Sequence, residues 1–135
     1  MTAPARARRH PAFHAVFWAY ALTLFTFTHW PKLTVPGPEG TDKTIHVLAF
    51  AGWTGLAVLC GWFGRPLSVR NLLLTGLIAA ANSGLDELLQ AIPFINRSCE
   101  WADARANLLG VAGTVTILLV LGRPLQSLFP KLLAS

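Results

Sequence analysis

The sequence predicts an all-α, membrane-embedded four-helix bundle with both termini on the cytoplasmic side. Of its 135 residues 53% are hydrophobic and only 13% are charged, with a mean hydropathy of +0.51, too little charge to coat a small soluble domain. The apolar residues fall into four blocks of about 18–23, each the reach of a helix through roughly 30 Å of hydrocarbon. Breaks rich in Pro and Gly separate the blocks. This pattern excludes a dinucleotide-binding α/β enzyme, a disulfide-stapled secreted module and a disordered tail.

Taken in order, a basic segment at residues 1–12 with Arg6, Arg8 and Arg9 precedes a first span at about 13–30. The segment reads as cytoplasmic, because Lys and Arg resist translocation. A signal peptide is the competing reading, but the span ends in His29, Trp30 and Pro31 with no small-residue cleavage site, so it is expected to be retained. Pro31, Pro36, Gly37, Pro38 and Gly40 make residues 31–41 a loop. The second span covers about 42–62 and is expected to end at Gly64-Arg65-Pro66. The third covers about 70–92, stopped by Pro93, and the fourth about 103–121, stopped by Gly122-Arg123-Pro124. The membrane domain is thus 13–124, and 125–135 is a short cytoplasmic or interfacial tail.

Charge supports one orientation. Arg6, Arg8, Arg9, Arg65, Arg70, Arg123 and Lys131 fall on the side of the N-terminus, with no acid among them. Lys32, Lys43, Arg97 and Arg105 fall on the other, together with every acid of the chain: Glu39, Asp42, Asp86, Glu87, Glu100 and Asp103. Acids contribute little to topology, so the orientation rule leaves their segregation unexplained. Gly-Arg-Pro-Leu occurs at both 64–67 and 122–125. Helix-stop chemistry beside an inside arginine accounts for those letters better than a duplicated hairpin does.

The third span carries Asn82, Ser83, Asp86, Glu87 and Gln90, which share an arc of roughly 140°. Carboxylates at that depth must face the bundle interior or a wet cavity. They also sit at the negative end of the helix dipole, so they need positive partners. The second and fourth spans present their N-termini at this level, with Lys43, His46, Arg97 and Arg105 nearby. Asp42, His46, Ala49 and Trp53 form one stripe, and Asp103, Asn107, Gly110 and Thr114 another, so three polar stripes are expected to converge. Gly76, Ala80 and Gly84 on one helix and Ala106, Gly110 and Gly113 on the next are expected to allow close approach.

The ordered set Asp42-Lys43, His46, Asp86-Glu87, Gln90, Arg97, Asp103, Asn107 and Gly110 resembles the signature of the VanZ-like family of small bacterial membrane proteins, over about residues 42–121. Between Gln90 and Arg97 that family usually has Pro and Gly; here Pro93 stands without a Gly. The resemblance implies a multi-pass helical protein of the bacterial cytoplasmic membrane. The family's namesake is associated with low-level resistance to the glycopeptide teicoplanin, which implies action at the cell envelope and supplies no reaction.

Each residue has a functional and a structural reading. Asp42 and Asp103 open helices, where an Asp commonly caps free amides. Asp86, Glu87 and Gln90 oppose the dipole, which favours function over a buried ion pair with Lys43, Arg97 or Arg105. His46 is a candidate general base or a satisfied hydrogen-bonding residue. Arg97 suits recognition of phosphate or carboxylate, with pairing to Glu100 as the alternative. Asn107 is a candidate ligand-binding residue or a bond across helices. His10, His14 and His29 are assigned no chemistry. A divalent ion on His46 with Asp42, Asp86 or Glu87 is chemically conceivable, but no ligand pair has a diagnostic spacing, so neither a metal nor a cofactor is expected. Cys60 and Cys99 lie at opposite ends and cannot pair. No phosphate loop or elbow serine occurs.

The expected function is recognition, in the outer leaflet, of an anionic or zwitterionic envelope molecule such as a lipid-linked precursor or a phospholipid headgroup. Lys43, Arg97 and Arg105 would attract the anion, Asp86, Glu87 and His46 would handle protons or bind amines, and Asp42, Gln90, Asp103 and Asn107 would complete the site. A membrane-embedded acid/base hydrolase or transferase is the first alternative. A transporter is disfavoured by the apolar residues beyond Trp53 and Thr116; a non-catalytic assembly partner is the remaining one. Membrane lipids are expected partners and nucleic acid is not, while the oligomeric state is left open by the sequence.

Overall fold

The computed structural model describes residues 11–31, 36–93, 95 and 100–130. They form four α-helices, with no strand among the described residues: α1 Pro11–Thr28, α2 Thr41–Cys60, α3 Val69–Gln90 and α4 Trp101–Leu128. The all-helical, four-helix architecture is as the hydropathy blocks predict. Three helices, α2, α3 and α4, are long and apolar enough to cross a membrane. Many large apolar side chains face outward, among them Leu22, Leu77, Leu88, Leu109 and Val120, a surface suited to lipid rather than water. The basic residues Arg6, Arg8, Arg9 and Lys131, together with Lys32, Arg97 and Cys99, lie outside the described residues.

Contacts between helices set the topology. Lys43 meets Asp103 and His46 meets Asn107, while the Thr114 hydroxyl donates to Ala51 O at 3.4 Å. Numbers rise together along this seam, so α2 and α4 run parallel. Against α3, α4 runs antiparallel, pairing Glu87 with Asn107 and Gly76 with Val115. Tyr20 on α1 donates to Ala49 O at 2.9 Å, and Phe17 meets Trp53 edge-on with ring centroids 5.1 Å apart. The helix α2 packs against all three others, most extensively against α4. The apolar core forms around it from Phe17, Phe50, Trp53, Ala57, Ala79 and Val111.

Close approach rests on fewer small residues than the sequence suggests. A Cβ on Gly110 would collide with the Val47 carbonyl and sit 3.0 Å from Ala51 N, so only Gly fits the α2–α4 crossing. A Cβ on Gly76 would lie 2.9 Å from Val115 Cγ2. Gly84 and Gly113 have open space instead. They lie about 80° and 60° around their helices from Gly76 and Gly110, which turns them off the contact face.

Helix ends differ from expectation in three places. At the end of α2 the stop is Gly61, with left-handed φ 63° and ψ 36°, donating to Val58 O; it precedes Gly64, because a Gly directly after the last turn closes it without strain. Asp42 and Asp103 are not caps: Gly40 and Glu100 hold those positions. The two Asp residues lie within the first turn, where their carboxylates are engaged by Lys43. Pro124 does not stop α4, which continues to Leu128. Proline forfeits one backbone bond, but Leu125 beyond it packs on the Val58, Leu67 and Leu72 cluster and offsets that loss. The expected tail therefore begins as helix.

Asn71, a polar residue near the start of α3 that no motif marks, ties the α2–α3 connection. Fully buried, its Nδ2 donates to Val58 O at 2.9 Å and Pro66 O at 2.7 Å. Its Oδ1 accepts from Phe63 N at 3.1 Å. Ser68 caps α3 by accepting from Asn71 N.

Candidate functional site

Three polar stripes meet where α2 and α4 begin and α3 ends, as their spacings predict. His46, Asp86, Glu87, Gln90, Asp103 and Asn107 are all buried. Adjacent positions on α3 diverge by about 100°, so Asp86 and Glu87 serve two poles of the site.

At the first pole Glu87 points toward α2 and α4. Asn107 Nδ2 donates to Glu87 Oε1 at 3.1 Å, and Asn107 Oδ1 lies 2.9 Å from His46 Nδ1. With its amide engaged by the carboxylate, Asn107 presents only its oxygen to His46, so Nδ1 carries the ring hydrogen and Nε2 keeps the lone pair. That Nε2 is 3.7 Å from Asp103 Oδ2, too far for a hydrogen bond. Glu87 is 2% exposed, and among the described residues no side chain hydrogen-bonds its Oε2.

Lys43 stands at the rim and is shared by three carboxylates: Asp42 at 2.7 Å, Glu100 at 3.2 Å, and Asp103 through Oδ1. It does not reach Asp86 or Glu87; among the described residues amide and hydroxyl donors hold those acids, and Arg97, another cation considered for them, lies outside the described residues. Arg105 is exposed, and among the described residues no ion pair joins it to the cluster. The described part of the site is therefore acidic. Arg97 lies outside it.

At the second pole Asp86 faces α1. Thr28 Oγ1 donates to Asp86 Oδ1 at 3.0 Å and Gln90 Nε2 donates to Oδ2 at 3.1 Å. His29 Nδ1 lies 3.7 Å from Oδ1 and 2.9 Å from Phe25 O, an acceptor, which assigns its hydrogen to Nδ1. Its Nε2 is buried, with no hydrogen-bond partner among the described residues. Sequence reasoning missed Thr28 and His29, since a Thr-His-Trp run at a span end reads as an interfacial anchor. The unused signal was the absence of any charge on α1 to answer the α3 acids. His14, also set aside, accepts from Trp62 Nε1 at 3.2 Å, a structural role.

Asp86 also lines a groove of about 460 Å³ between α1, α2 and α3. Its walls are apolar, including Leu22, Phe25, Phe50, Trp53 and Leu89, and Asn82 and Asp86 are their polar side chains. Such a shape suits a ligand with one apolar body and one polar end. A second cleft of about 450 Å³ near Leu59, Leu118 and Phe129 has no ionisable side chain.

Comparison with family models, curated proteins and solved structures finds no match for this chain.

Proposed function

We propose that this chain is a VanZ-like membrane protein that binds an amphipathic molecule of the bacterial cell envelope, its tail in the α1–α2–α3 groove and its headgroup at Asp86. The observation that carries this reading is the position of Asp86. It is the one carboxylate on the wall of a mainly apolar groove, beside a buried His29 nitrogen that has no partner among the described residues. A headgroup bearing an amine or hydroxyl would donate to both, and its desolvation would be answered by charge-assisted hydrogen bonds. Of the two headgroup classes expected from sequence, the zwitterionic one fits better, because Lys43 is already shared by three carboxylates. Phosphate recognition then falls to Arg97 or Arg105.

In this reading the polar end lies in the outer leaflet of the cytoplasmic membrane, with both termini inside. The test is native mass spectrometry of the gently purified protein. Wild type is expected to retain a zwitterionic or lipid-linked species. Asp86→Asn, which keeps side-chain volume, is expected to retain it roughly 10–100-fold less, the worth of a hydrogen bond to a charged group. In cells the same variant is expected to insert normally and lose any effect on glycopeptide susceptibility. Equal lipid retention by both proteins counts against the reading.

A further inference from the structure

We propose that His46, Glu87 and Asp103 form a binding site for one divalent transition ion of the zinc class, distinct from the Asp86 pole and independent of the lipid reading. Each of the three offers a ligand atom, and these atoms lie within 4.8 Å of one another. Zinc bonds to His nitrogen and carboxylate oxygen are about 2.0–2.2 Å long, which puts neighbouring ligand atoms of a tetrahedron about 3.4 Å apart. The 3.7 Å between His46 Nε2 and Asp103 Oδ2 is close to that edge. The Glu87 oxygen lies within 4.8 Å of the other two ligand atoms.

Two further observations point to a ligand. Glu87 is 2% exposed, and among the described residues no side chain hydrogen-bonds its Oε2, a cost that a protein interior rarely leaves unmet. The metal-facing tautomer of His46 is also already set. Asn107 accepts from Nδ1 and so fixes the ring with its Nε2 lone pair toward Asp103, while donating to Glu87 from its other end. One side chain thus orients two ligands, the arrangement by which outer residues tune metal sites.

Charge agrees. Glu87 and Asp103 bring two negative charges from facing helices into a buried space, and a divalent ion neutralises both. Lys43 engages Asp103 through Oδ1 and leaves Oδ2 toward His46; its own charge is answered by Asp42 and Glu100. Imidazole with two carboxylates selects a zinc-class ion over calcium or magnesium, which take all-oxygen shells. Three protein ligands leave a fourth position for water.

The test uses the full-length protein in detergent micelles, stripped with chelator and titrated with Co²⁺, whose visible absorption reports tetrahedral coordination. Wild type is expected to bind one equivalent saturably and to release it to Zn²⁺. Glu87→Gln and Asp103→Asn are each expected to weaken binding at least roughly tenfold, and Asn107→Ala by about 10–100-fold. Glu39→Gln, an exposed acid elsewhere, is expected to match wild type. Absence of saturable Co²⁺ binding by wild type, a measurement that needs no variant to fold, overturns the proposal. So does equal binding by wild type, Glu87→Gln and Asp103→Asn.

Discussion

Asp86 and Glu87 are consecutive on α3, yet their carboxylates are held by different helices: Asp86 by the Thr28 hydroxyl of α1 at 3.0 Å, and Glu87 by the Asn107 amide of α4 at 3.1 Å. Helix α3 therefore acts as a wedge, with an acid on each flank. Both of these partners are neutral donors.

That arrangement separates charge from shape. Glu87→Gln keeps an oxygen for Asn107 and is expected to change stability by less than about 1 kcal/mol. Glu87→Leu strands the Asn107 amide in a buried site and is expected to cost roughly 1–3 kcal/mol. Unfolding in mixed detergent micelles by circular dichroism reads both, and similar losses for the two variants would contradict the assigned bond.

The parallel α2–α4 seam predicts unequal effects of equal substitutions. Gly110→Ala pushes a methyl group into the Val47 carbonyl and is expected to destabilise the protein by roughly 1–3 kcal/mol. Gly113→Ala enters open space and is expected to stay within about 0.5 kcal/mol of wild type or to gain slightly. The same micelle unfolding assay checks the pair.

Asn71 is expected to hold the α2–α3 connection. Asn71→Leu removes donors from the Val58 and Pro66 carbonyls and an acceptor from Phe63 N. A loss of roughly 2–3 kcal/mol follows from leaving such groups unmet. Faster proteolysis near residues 61–68 is the local readout.

Lys43 is expected to contribute modestly. Its side chain is 32% exposed, so Lys43→Gln should cost about 1 kcal/mol or less. The difference from wild type should shrink as ionic strength rises. Unfolding at low and high salt measures it.

Much of this was legible in the sequence because hydropathy and a 3.6-residue period act locally. The four helices follow from the apolar blocks and their breaks, three of them long and apolar enough to cross a membrane, and the meeting of His46, Glu87 and Asn107 follows from stripes on α2, α3 and α4. What escaped depends on rotation between helices or on local competition. Thr28 and His29 join the site only through the angle at which α1 packs on α3. Asp42 and Asp103 pair with Lys43 and do not cap, because Gly40 and Glu100 hold the cap positions and place both Asp residues inside the first turn. Pro124 remains helical because Leu125 finds a packed cluster, and Gly84 and Gly113 face outward because nearness in sequence does not place them on the contact face. The groove follows from the spacing of α1, α2 and α3, which no single segment encodes.

We propose above that Asp86 reads the head of a zwitterionic lipid whose tail fills the neighbouring groove. The most direct measurement is photo-crosslinking in vesicles with a phosphatidylethanolamine analogue carrying a diazirine in its acyl chain, with the modified residues mapped by mass spectrometry. Labels are expected to concentrate on groove residues such as Leu22, Phe25 and Leu89 and to be lost in Asp86→Asn. Labels spread evenly over the outward faces of α3 and α4, unchanged in Asp86→Asn, would contradict it.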